Sequence, residues 1–143
     1  MAKFPSVAWF DAVRDIYNKD DAMHGAGSGT CNCVVGVQVG RELFRLTFEG
    51  FECSQAEMIT KAQLDDCDFY LHMAAKDWRT MLQNIQEHGH ATDNFTLNTL
   101  DLGRVEGLSA STHNDQYRED LFFRYNQTLQ FFFDGSARIQ TTF

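Results

Sequence analysis

The chain has 143 residues, of which 43% are hydrophobic and 22% charged, and its net charge is −8. These proportions are near the averages for globular domains and exclude an intrinsically disordered chain, while the length fits one core, so residues 1–143 are read as a single domain. Its twelve basic residues are scattered among twenty acidic ones, which excludes the clustered positive charge that binds nucleic acid or holds a protein on an anionic membrane surface.

The first predicted element is an amphipathic helix in "FPSVAWFDAVRDIYN". Pro5 and Ser6 supply a stop and a cap, and Trp9, Phe10, Val13, Ile16 and Tyr17 recur at helical spacing. Charges at Asp11, Arg14 and Asp15 interrupt the apolar residues, so neither a signal peptide nor a spanning helix is expected. A cytoplasmic location with no stable membrane insertion follows as the expectation. "KDDAMHGAGSGT" reads as a loop with a short turn around Asp21 to His24, and it lacks the Gly-Lys-Ser/Thr ending of a phosphate loop.

From Cys31 the period becomes two. "CNCVVGVQV" sets Cys31, Cys33, Val35, Val37 and Val39 on one face, and after Gly40 "RELFRLTF" does the same with Phe44, Leu46 and Phe48. Glu49-Gly50 marks a second turn, Phe51 to Met58 a third strand, and "CDFYLHMA" a fourth with Cys67, Phe69, Leu71 and Met73 inward. Short links between successive strands predict an antiparallel meander with one face covered. The four cysteines are read as buried thiols of a reducing compartment, because Cys31 and Cys33 have no further ligands at zinc spacing; no metal and no cofactor are expected.

The cover comes next. "KDWRTMLQNIQEHGH" puts Trp78, Met81, Leu82 and Ile85 on a helical stripe that ends at Gly89. "NFTLNTLDL" alternates Phe95, Leu97 and Thr99 and predicts a fifth strand. A long helix from about Asp115 to Asp134 carries Tyr117, Leu121, Tyr125, Leu129 and Phe133 at i, i+4 spacing, broadened by Phe122 and Phe132. Apolar side chains cover more of its circumference than a surface helix needs, so it is expected to be buried on two sides or to touch a ligand or a partner chain.

Taken together, "FPSVAWFDAVRDIYN", "GRELFRLTFEGFE", "CDFYLHMAAKDWRTMLQN" and the closing amphipathic helix resemble the sterol carrier protein 2-like domain, over roughly Phe4 to Phe133. The resemblance implies an α+β fold, a curved antiparallel sheet of about five strands with helices packed on one face. It also implies an apolar cavity between sheet and helices for a fatty acid, acyl-CoA, sterol or isoprenoid, bound and transferred without chemistry. Asp77 and Trp78 open the matching helix. The ligand-binding residues expected are Leu46, Trp78, Met81, Leu82, Phe95, Leu97, Phe122, Tyr125, Asn126, Leu129, Phe132 and Phe133. One departure is that "HATDNFTLNTLDLGR" lacks the Gly-Asp pair that the family often carries near its last strand.

Two alternatives stand beside this reading. A small cofactor-independent isomerase, cyclase or hydrolase would draw on Asp68, Tyr70, His72, Tyr117, Arg124, Tyr125 and Asn126. Alternation places Asp68, Tyr70 and His72 on the wet face of the sheet, and no nucleophile elbow, Cys/His pair or paired-carboxylate motif is present. His88 and His90 read as a solvated helix end, and His24 and His113 as loop residues. The other alternative is a homodimer through the closing helix, which would also account for Phe123 and Phe131.

Overall fold

The computed structural model describes residues 2–20, 30–104, 107–113 and 115–143; the turn expected around Asp21 to His24 lies outside them. Strand β1 (Ala2–Lys3) leads through a cis Phe4-Pro5 peptide into helix α1 (Val7–Lys19). The Ser6 hydroxyl accepts the Trp9 N–H at 3.1 Å, so the predicted cap satisfies an amide that the first helical turn leaves without a partner.

Strands β2 (Cys33–Val39), β3 (Glu42–Glu49) and β4 (Glu52–Met58) form the expected antiparallel meander. Each link is two residues long and begins with a glycine, Gly40 at φ 61° and Gly50 at φ 63°, where a side chain would be strained. The chain then crosses over through a 3-10 segment (Lys61–Asp66) to β5 (Phe69–Met73). β5 lies parallel to β2, with Val35 opposite Phe69 and Val39 opposite Met73, and β6 (Ser109–Ala110) pairs antiparallel beyond it. The order is β4-β3-β2-β5-β6. The sheet is therefore mixed where an all-antiparallel one was expected, because a period-two pattern tells which face is buried and not which way the strand runs.

Helix α2 (Ala75–His88) ends at Gly89 as predicted. The predicted fifth strand does not form. Phe95 closes a 3-10 turn (Asp93–Phe95), and Leu97 opens a short helix α3 (Leu97–Leu102). Thr96 is the reason: its Oγ1 accepts the Thr99 N–H at 3.1 Å, and this local cap outweighs three alternating residues. Helix α4 (Gln116–Asp134) starts where Asp115 accepts the Tyr117 N–H at 2.9 Å, and β7 (Thr141–Thr142) pairs in parallel with β1.

The architecture is thus α+β, a five-stranded sheet with helices packed on it. Val35, Val37, Phe44, Leu46, Phe48, Phe69 and Leu71 form one buried cluster with Trp9, Phe10, Trp78, Leu82, Phe132 and Phe133 of the helices. The opposite face keeps a smaller cluster, Ile59, Leu64 and Cys67, under the 3-10 segment. Cys67 belongs there and not inward, since β5 begins only at Phe69 and the Cys67 N–H closes the segment on the Leu64 carbonyl at 3.0 Å. Gly36 is a point of close approach: a Cβ on it would lie 2.7 Å from Tyr70 Cβ and 2.9 Å from Leu64 Cδ2. At the β4 edge, the Asn18 amide group donates to the Cys53 carbonyl at 2.9 Å and accepts the Cys53 N–H at 2.8 Å, while Arg14 donates to the Cys53 and Ser54 carbonyls. Among the described residues no helix is long and apolar enough to cross a membrane.

Candidate ligand-binding site

Most of the residues expected to line a cavity pack against one another. Leu46, Trp78, Met81, Leu82, Leu97, Phe122, Leu129, Phe132 and Phe133 are each 0% exposed, which leaves no water-sized void against them. Phe132 meets Tyr17 and Phe48 edge-on at 5.8 and 5.7 Å, and Phe133 lies 5.3 Å from Trp78. Such pairs contribute about 0.5–1.5 kcal/mol each beyond the area they bury. The indole N–H groups are satisfied at the margins, Trp78 donating to the Gln38 carbonyl at 2.8 Å and Trp9 to Thr141 Oγ1 at 3.0 Å. The rings of α4 thus fill the space between helices and sheet.

The remaining predicted residues fall outside that interior in three ways. Tyr125 is buried at the helix surface with the Arg124 guanidinium 5.4 Å from its ring. Phe95 is half-buried in its 3-10 turn. Asn126 joins Thr96, Asn98, Gln127 and Gln130 around a polar cleft of about 390 Å³. Gln130 is already committed there, accepting the Leu97 N–H at 2.7 Å and donating to Asp134 at 2.9 Å. Asp134 also accepts the Ala91 N–H at 3.0 Å, and burial pushes its carboxyl above the usual range despite the two hydrogen bonds that favour its charge.

A different opening has the chemistry of a ligand site. A cleft of about 300 Å³ lies between the β1 end, the end of β2 and the start of α2, lined by Phe4, Pro5, Val39, Ala75, Lys76, Arg79 and Phe143. Pairing of β1 with β7 sets Phe4 and Phe143 side by side, their rings 6.3 Å apart, and Phe4 continues inward onto Trp9 and Trp78. The Arg79 guanidinium stands 5.1 Å from the Phe143 ring. Lys76 and Arg79 are exposed, one helical turn apart, and among the described residues neither has a carboxylate within 4 Å. Other cations of the surface are paired, as in Arg104–Asp77, Arg45–Glu57 and Arg138–Asp20, while Lys3, Arg41, Lys61 and Arg124 also have no carboxylate within 4 Å among the described residues. What sets Lys76 and Arg79 apart is that they stand together at the rim of an apolar cleft.

The groups weighed for chemistry are dispersed. Asp68, Tyr70 and His72 share the outer sheet face as alternation predicts; Asp68 accepts the Val34 N–H at 2.7 Å, and the Tyr70 and His72 rings are 5.7 Å apart. Tyr117 is 70% exposed. His90 Nδ1 lies 2.9 Å from the Ala91 carbonyl oxygen, and His88 lies beside Glu87. All four cysteines are free and buried. Cys33 Sγ is 3.4 Å from Cys31 Sγ, and that contact together with burial pushes the Cys33 thiol far up, while burial pushes Cys53 up to about 12 and Cys67 up to about 11. Thiols held protonated in this way are poor nucleophiles. Among the described residues no three His, Cys, Asp or Glu side chains converge to hold a metal ion.

No protein-family model, curated protein or solved structure matches this chain. The apolar cleft was missed by sequence reasoning because its walls come from opposite ends of the chain. The one local signal was Lys76 and Arg79 at i, i+3 on a helix that was read only for its buried stripe.

Proposed function

We propose that this chain is a sterol carrier protein 2-like domain that binds a hydrophobic small molecule and transfers it without transforming it. The observation that carries this reading is the cleft between Phe4 and Phe143, an apolar opening whose inner wall, Phe4, packs against the buried Trp78 of α2. Clefts of about 300–1,000 Å³ with mostly apolar walls and a few polar groups are the usual form of small-molecule sites. A meander followed by a strand running into the Asp77-Trp78 helix supports the family resemblance, and four free, buried cysteines suit a cytoplasmic protein.

A fatty acid, acyl-CoA, sterol or isoprenoid that entered more deeply would have to part the rings of Phe132, Phe133 and Trp78. The binding set then includes the residues expected from the sequence, with the cleft as the mouth. Native mass spectrometry of gently purified protein, followed by organic extraction, is the test. An apolar molecule released one to one supports the reading. An empty protein that also fails to bind an apolar fluorescent probe saturably overturns it. A homodimer through α4 would use Phe123, which is 56% exposed, and sedimentation at two concentrations decides it.

A further inference from the structure

We infer that the cleft between Phe4 and Phe143 selects a compact carboxylate with an aromatic or short apolar body, its charge held by Lys76 and Arg79. The inference rests on the proposed binding of a hydrophobic small molecule and names the ligand class for that site. Size is the first argument. The cleft, at about 300 Å³, is at the lower limit of small-molecule sites. With the Phe132, Phe133 and Trp78 rings closed behind it, the cleft as it stands has space for one ring or a short chain, and a sterol or a long acyl tail would first have to part those rings.

Charge is the second argument. Lys76 and Arg79 lie on one face of α2 at i, i+3, an arrangement in which like charges repel each other. The protein carries twenty acidic residues, yet among the described residues none comes within 4 Å of either cation. An anion between them removes the repulsion, and the planar guanidinium offers a carboxylate two parallel N–H donors.

Shape is the third. Phe4 and Phe143 present rings 6.3 Å apart and steeply inclined, at 67°. The Arg79 guanidinium is already beside Phe143, so a carboxylate on the ligand would meet its donors at the edge of the aromatic wall. A flat apolar body fits against Phe4, Pro5 and Val39 while its carboxylate stays at the wet rim, where the desolvation cost is small.

The test is titration of isotope-labelled protein with 3-phenylpropanoate, with its uncharged alcohol 3-phenylpropanol and with palmitate, followed by amide NMR. The expected result is saturable shifts at Phe4, Val39, Ala75 to Arg79 and Phe143 with the aromatic acid, and affinity for the alcohol lower by roughly tenfold or more, as the loss of a charged hydrogen bond implies. The double variant Lys76→Gln, Arg79→Gln should lose that preference for the acid while still binding the alcohol. Ala75→Trp, which fills the cleft and leaves both cations, should weaken binding of acid and alcohol together. Equal affinity for acid and alcohol at these residues overturns the anionic class and leaves the hydrophobic-ligand reading standing. Tighter binding of palmitate than of the aromatic acid overturns the size argument. Shifts confined to other residues, or no saturable shift at all, overturn the site, and the extraction experiment then decides separately whether the protein carries an apolar ligand.

Discussion

The interior beneath α4 and the cleft between Phe4 and Phe143 are built from the same kind of side chain, phenylalanine, and differ in what lies next to the rings. Beneath α4 each ring meets another ring or an aliphatic strand residue, so Phe122, Phe132 and Phe133 are 0% exposed. In the cleft Phe143 is 38% exposed, and the neighbours of the rings include two cations without carboxylate partners. Aromatic density alone therefore says little about where a ligand goes. The useful signal is an aromatic wall that is left open and set beside charge the protein does not neutralise.

The comparison is broken most severely by a charge in the sealed region. Phe132→Asp or Leu129→Asp should cost about 4 kcal/mol or more and leave the chain unfolded by circular dichroism, since an unpaired buried carboxylate has no solvation. Native-like urea midpoints for both variants would place the α4 stripe outside the core. Gly36→Ala should cost about 1–3 kcal/mol in urea unfolding, because the new methyl group meets Tyr70 Cβ, which the sheet holds in place.

At the end of α4 the expected effect is smaller and depends on pH. Asp134→Ala strands the buried Ala91 N–H and should cost about 1–3 kcal/mol. The Asp134 carboxyl is raised above its ordinary 3.8 by burial, so between 3.8 and its native value the folded state binds more protons than the unfolded state. The stability this carboxyl contributes when protonated is therefore lost as pH rises through the native value. Asp134→Asn keeps an acceptor for both hydrogen bonds, and urea midpoints measured across the acidic range should be flatter in that variant.

The smallest effects sharpen the contrast from the side of the cleft. Arg79→Gln and Lys76→Gln should each change the melting temperature by no more than about 0.5 kcal/mol of stability implies, because both side chains are exposed and neither holds a carboxylate. A larger loss in either variant would mean that these cations support the fold, and the cleft would lose its distinction from the rest of the surface.

Much of the fold was legible in the sequence where a residue type has one local use. Ser6 and Asp115 cap helices, Gly40 and Gly50 turn the meander, and Gly89 ends α2. The reading failed where a local hydrogen bond competed with a short pattern, as at Thr96, and where alternation was continued one step too far, as at Cys67. It was also blind to strand direction at β5. The aromatic helix was recognised as unusual, yet whether its rings line a space or fill it depends on Tyr17, Phe48 and Trp78, which are distant in sequence. The cleft depends on the pairing of the first and last strands, a contact that no window of sequence contains.

The grip of α1 on the β4 edge bears on how this protein meets other copies of itself. Asn18 offers Cys53 the donor and acceptor that a neighbouring strand would offer, and Arg14 occupies the next carbonyl. A single carboxamide thus acts as a one-residue counterfeit strand, and a foreign peptide that tried to extend the sheet there would first have to evict it. Natural sheets guard their margins against runaway stacking with charge, bulges or a covering element, and here a helix supplies the guard from its own side chains.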